Sequence, residues 1–233
     1  MQKILIFSDL HGSLNALKSL MQTDDWKSAD KRIFLGDIAI GFSRPNQCID
    51  LLKKEDCICL LGNNDDYIAN KIPQADYVEF LEDKLEHIEW MRQNVSDENK
   101  KWLASWQRDY MINWQSKKIY FTHYPWEMLD GEFSVIDSPK EKNLRARQQM
   151  FSKIDADYIF FGHEHIGNAF SDEKTIYFCL PTFGLANPAE YFMLYLTDST
   201  IEVEKKDTVF DIDEEINLMF DAGYPYNKKK YKK

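Results

Sequence analysis

The sequence predicts an α/β fold built on a largely parallel sheet, and three observations predict it. Apolar runs alternate with helix-spaced segments at the start of the chain, in a strand–helix–strand–helix–strand order that requires crossover connections. The apolar runs at residues 3–8, 32–35, 57–61, 118–122 and 158–161 pass straight into Gly, Asp, Asn or His, as buried strands do where they enter loops. No Pro/Gly/Ser-rich linker divides the 233 residues, of which 44% are hydrophobic, so a single domain over 1–225 with a sizeable core is expected.

The elements follow in order. Residues 3–8 form a first strand, and Leu14, Leu17, Leu20 and Met21 carry the spacing of a helix over 14–21. A second strand at 32–35 leads through a loop with Gly41, Ser43 and Pro45 into a helix marked by Cys48, Ile49, Leu51 and Leu52. A third strand covers 57–61. Residues 76–110 read as a helical, aromatic insertion with Phe80, Leu85, Ile88, Trp90, Trp102 and Trp106, divided by a cap at Ser96–Asp97. Its aromatics suit either core packing or a lid over a site, and the sequence leaves both open. Strands resume at 118–122 and 158–161, separated by a long loop from Pro125 and a charged helix over 144–151. Further strands are expected at 175–180 and 191–196, then an edge hairpin over 201–204 and a closing helix over 213–220. Residues 226–233 form a basic tail expected to be disordered.

Composition narrows the function. A net charge of -10 argues against a general nucleic-acid surface. The N-terminal apolar run is too short for a signal peptide or a membrane span, so a soluble cytoplasmic protein is the expectation. Cys48, Cys57, Cys59 and Cys179 contain no CxxC pair and read as reduced core residues.

The chemistry lies at the strand ends. Asp9, His11, Asp37, Asn63, His123, His163 and His165 all follow an apolar run, and of the five histidines only His87 stands apart. Loops at the carboxyl ends of strands converge in α/β sheets. Carboxylate, amide and imidazole donors suit manganese, iron, zinc or nickel. Two such ions about 3.5–4 Å apart would clamp the attacking and leaving oxygens of an in-line displacement. With Asp9, Asp37 and a hydroxide counted against them, the ions would leave a positive surplus able to attract a phosphate anion to an acidic protein.

The ordered set Asp9-x-His11, Gly36-Asp37, Gly62-Asn63-Asn64-Asp65, His123 and Gly162-His163-Glu164-His165 resembles the motifs of the calcineurin-like metallophosphoesterases. The loop Gly41 to Pro45 and the segment Ser96 to Trp106 are similar to features of small bacterial and archaeal members, so the resemblance spans residues 3–197. It implies a four-layer αββα sandwich of two mixed sheets flanked by helices. It also implies two divalent ions, manganese first among the candidates. Asp9, His11, Asp37 and His165 would hold one ion, and Asp37 as the bridge, Asn63, His123 and His163 the other. One position departs from the family pattern. Asn64 stands where a phosphate-contacting, proton-donating His is usual, and an amide donates a hydrogen bond but is no general acid.

The expected function is therefore hydrolysis of a phosphodiester or an activated phosphomonoester by metal-bound hydroxide, with Asp37 and Asn64 as catalytic candidates. Asn64 and Arg44 are the candidates for holding substrate phosphate, and a nucleotide is among the substrates considered. The alternatives are a phosphomonoesterase or protein phosphatase, and an inactive metal-binding scaffold of the same fold. No membrane partner is expected.

Overall fold

The computed structural model describes residues 1–70, 72, 79–129, 132–135 and 144–225. Two mixed five-stranded sheets pack face to face with helices outside both, the α/β sandwich of the metallophosphoesterases.

The first sheet has the order β12-β11-β1-β2-β3, from strands β1 (Gln2–Phe7), β2 (Lys31–Phe34), β3 (Cys57–Cys59), β11 (Ala189–Leu196) and β12 (Ile201–Thr208). Strands β1, β2 and β3 are parallel, as the crossover pattern predicts, and β11 and β12 add an antiparallel edge. The second sheet has the order β4-β5-β8-β10-β9, from β4 (Asp109–Trp114), β5 (Lys117–Thr122), β8 (Tyr158–Phe161), β9 (Asn168–Ser171) and β10 (Ile176–Cys179). Here β5, β8 and β10 are parallel.

Alternation along each strand explains the layering. Ile4 and Ile6 point between the sheets, where they meet Ile33, Leu35, Ile119, Phe121 and Phe160. Leu5 and Phe7 point the other way, onto α1 (Leu14–Gln22), α3 (Pro45–Leu52) and the helices α5 (Glu79–Asn94) and α6 (Asp97–Ala104). Side chains two apart share a face, so strands covered on both faces read as continuous apolar runs rather than as alternation. The outer face of the second sheet packs Ile159, Phe161 and Tyr177 on Phe151, beside α7 (Leu144–Met150).

Ile88, Met91, Val95 and Leu103 of the 76–110 segment are buried in the main core, and Ser96 caps α6 by accepting from Asn99 N–H. The end of that segment is not helical, because β4 begins at Asp109 and pairs with β5. The loop expected after Pro125 contains a hairpin of β6 (Trp126–Leu129) and β7 (Glu132–Val135). Strand β9 and the short helix α2 (Asp24–Ser28), capped by Thr23, were not anticipated either. The closing helix α8 spans Ile212–Asp221. The expected basic tail, 226–233, lies outside the described residues.

Candidate metal centre

Every strand that contributes to the site ends in a sharp turn, and the turns bring both sheets to one place. Asp9 and His11 follow β1, Asp37 follows β2, His123 follows β5, and His163 and His165 follow β8. Asn63, Asn64 and Asp65 open α4 (Asn63–Ala69), directly after β3. Asp9, His11, Asp37, His163 and His165 all hold φ between 53° and 66°, the left-handed region that side chains avoid. Such backbone costs about 1–3 kcal/mol per residue and persists only where its surroundings enforce it.

Close packing supplies part of that enforcement. A Cβ on Gly162 would fall 2.1 Å from Ser8 Oγ and 2.6 Å from Asp9 Oδ2, so only glycine lets the end of β8 reach the end of β1. His163 N–H then donates to Asp9 Oδ2 at 3.1 Å, joining the two sheets through the carboxylate itself.

The donors fall into two groups. Asp9, His11 and His165 offer one atom each within 4.8 Å of one another, and so do Asp37, His123 and His163. In the first group His165 Nε2 lies 2.9 Å from Asp9 Oδ1 and 3.3 Å from His11 Nε2. In the second, His123 Nε2 lies 3.4 Å from Asp37 Oδ2. Asn63 Oδ1 joins this second group, 3.2 Å from His123 Nε2 and 2.8 Å from His163 Nδ1. The far nitrogens of two rings are fixed by backbone carbonyls: His11 Nδ1 donates to Ile40 O at 2.6 Å and His123 Nδ1 to Leu35 O at 3.1 Å. That orients each ring and leaves Nε2 as the atom available to a ligand.

Electrostatics distinguish the two imidazoles in each group. Burial opposes charge on Asp9, but His165, His123 and His11 overrule it and hold the carboxyl low. Asp37 is likewise lowered, by His123 against burial. His123 is buried too, yet Asp37 and Asp9 raise it to about 9. Burial and then His123 push His163 down to about 3. Burial followed by His165 lowers His11, while Asp9 raises His165 against burial. Each group therefore combines a carboxylate, an imidazole that favours its proton and one that does not. A proton occupies the role for which a cation is the better candidate, so these donors fit divalent ions.

Asp65 has a role that its place in the motif does not reveal. Its carboxyl accepts from Asp37 N–H at 2.8 Å, Ile38 N–H at 2.9 Å and Gly62 N–H at 3.1 Å, clasping the loop after β2 to the start of α4. Burial and the neighbouring Asp37 push this carboxyl up to about 8, against those amide hydrogen bonds. Asn64 lies beside Asp37: its backbone N–H donates to Oδ1 at 2.9 Å and its amide to Oδ2 at 2.6 Å.

Arg44, expected at a substrate phosphate, turns instead to α8. Its Nε donates to Glu215 at 3.3 Å and its Nη2 to Glu215 at 2.5 Å and to Asn15 Oδ1 at 2.9 Å. Glu215 is fully buried, and a buried carboxylate left without its cation is costly, so the guanidinium is committed to this pair. His87 packs its ring 5.2 Å from that of Tyr224, whose hydroxyl accepts from Gly41 N–H at 3.1 Å. The four cysteines are free thiols, and burial raises Cys48, Cys59 and Cys179 away from reactivity.

A sandwich of two mixed sheets with acid, amide and imidazole donors gathered at the strand ends defines a metallophosphoesterase architecture. The chain belongs to the calcineurin-like phosphoesterase superfamily, whose domain model matches residues 2–197. It is 29% identical over 179 residues to an uncharacterized protein of Methanocaldococcus jannaschii, covering 74% of this chain and 66% of that relative. A metallophosphoesterase from Sphaerobacter thermophilus has the same fold with a TM-score of 0.70, at 20% identity over 96% of this chain and 95% of that one. A hypothetical protein from Pyrococcus horikoshii gives a TM-score of 0.73 at 16% identity, over 97% and 95%. Among the described residues, no helix is long and apolar enough to cross a membrane.

Proposed function

We propose that this chain is a metal-dependent hydrolase of phosphodiesters or of phosphomonoesters with good leaving groups. The observation that carries the reading is the pair of adjacent Asp/His groups, with Asn63 in the second. Asp9, His11 and His165 would hold one divalent ion, Asn63, His123 and His163 the other, and Asp37 would serve both. Manganese is the first candidate, because oxygen and imidazole donors without thiolate suit it. When bound, such ions supply Lewis-acid polarisation of the phosphoryl oxygens and a nucleophilic water at neutral pH.

The chain's own residues set the limits of the reaction. Asp9 and Asp37 bring negative charge to a buried place, which attracts cations before it can attract a phosphate. Asn64 stands beside Asp37 and offers an amide that can orient a phosphate oxygen but cannot give up a proton. With no imidazole at that position, poor leaving groups such as alkyl alcohols are disfavoured relative to aryl ones. A panel of bis-p-nitrophenyl phosphate, p-nitrophenyl phosphate, cyclic nucleotides, dinucleoside polyphosphates and phosphopeptides tests this reading. The diester and activated monoester should be turned over fastest. A strong preference for phosphopeptides would overturn the proposal in favour of a protein phosphatase, and no turnover of any member would favour a scaffold.

A further inference from the structure

Between His163 and His165 lies Glu164, whose side chain points away from both ligand groups. Its Oε2 pairs with Arg147 Nη2, and its Oε1 accepts from the hydroxyl of Tyr124 at 3.1 Å. Arg147, on α7, is fully buried; among the described residues its Nε and Nη1 have no hydrogen-bond partner, and Glu164 is the carboxylate paired with it. The guanidinium stands 5.6 Å over the ring of Phe170 on β9. Tyr124 follows His123 in the chain, and its ring lies 4.4 Å from that of His163. One buried carboxylate thus ties α7, the turn after β5 and the turn after β8 together.

Stability alone does not account for such a pair. Two charges removed from water regain their desolvation cost only in part, and apolar side chains of similar volume commonly serve as well or better. What the pair does provide is a fixed direction for the residue between two histidines held at φ 66° and 57°. A turn free to relax from that backbone would displace both His163 and His165. One belongs to each ligand group, so both groups would open together.

We propose that Arg147, Glu164 and Tyr124 form a positioning device that fixes His163 and His165 and so sets the spacing of the two ligand groups. The proposal rests on the reading of those groups as metal sites. It is a supporting role, since none of these three side chains belongs to either ligand group.

Titration of the metal-free chain with Mn²⁺, monitored by calorimetry alongside circular dichroism, tests it. Glu164→Gln keeps the shape and the bond to Tyr124 but removes the charge; Arg147→Met removes the cation. Both should weaken binding at both groups, by about the 10–100-fold typical of lost ligand support. His11→Ala should damage one group more than the other. The double variant Arg147→Met/Glu164→Leu leaves no orphaned buried charge, so it should remain folded even where a single variant does not, and it should still bind weakly. A folded double variant that binds Mn²⁺ with wild-type affinity would overturn the proposal. A wild-type chain that binds no Mn²⁺ would overturn the metal reading beneath it as well.

Discussion

Asp65→Ala removes the clasp between the loop after β2 and the start of α4, and its cost can be worked from three hydrogen bonds. Asp65 is fully buried, and the N–H groups of Asp37, Ile38 and Gly62 all donate to it. A buried donor left unpaired costs about 1–3 kcal/mol, so three cost about 3–9 kcal/mol if the backbone keeps its place. Water entering the vacated volume would bring the figure to the lower part of that range. Even so, it is a large share of the roughly 5–15 kcal/mol that stabilises a typical domain. Asp65→Asn keeps one acceptor oxygen and should fall between Ala and wild type. Ser13→Ala is the matched control, because the Ser13 hydroxyl is buried with no hydrogen-bond partner among the described residues and its loss should cost little. Urea unfolding of the metal-free chain measures all three. If Asp65→Ala unfolds within about 0.5 kcal/mol of wild type, the range of an ordinary surface change, the clasp is not what holds Asp37 in its left-handed backbone.

Other outcomes follow from the same geometry. Asp37→Asn should reduce hydrolysis by more than the about 10–100-fold that loss of a supporting hydrogen bond costs, and near-wild-type turnover would show that the centre lies elsewhere. Asn64→His should raise turnover of alkyl phosphoesters, by up to the about 10²–10⁴-fold that general acid help provides, and leave p-nitrophenyl esters little changed. An equal response of alkyl and aryl substrates would count against position 64 as the point of leaving-group protonation. His123, raised to about 9, holds its proton at neutral pH, so an incoming cation must displace it. Binding should therefore release protons and strengthen about tenfold per pH unit through neutrality, flattening as the pH passes His123's own value. Calorimetry at pH 7 in buffers of different ionisation heat reads this, and a buffer-independent heat would contradict it.

The parts legible in the sequence are those whose cause is local. Strands β1, β2 and β8 are buried on both faces, so they appear as unbroken apolar runs, and the donor at the end of each run marks the site. Strand β4 was hidden because Asp109, Met111 and Asn113 face outward and the residues between them are only half-buried, so no buried apolar run marks it. Strand β9 is a four-residue edge strand, mostly exposed, with Phe170 alone packed inward, too little to announce it. Side-chain roles fixed by distant partners were less legible still. Arg44 finds Glu215 171 positions away, and nothing near Arg44 distinguishes that from a phosphate contact. Asp65 could be placed in a motif, but its work as a backbone acceptor depends on where β2 ends.

The central claim is that two adjacent ligand groups together make one hydrolytic centre. The most direct measurement is hydrolysis of bis-p-nitrophenyl phosphate by the chelator-stripped chain as Mn²⁺ is added back, with bound metal counted in the same samples. The stripped chain should be inactive, and activity should rise until both groups are filled, reaching its plateau at two ions per chain. Hydrolysis that persists after exhaustive chelation, or that is complete with a single ion bound, would contradict the account.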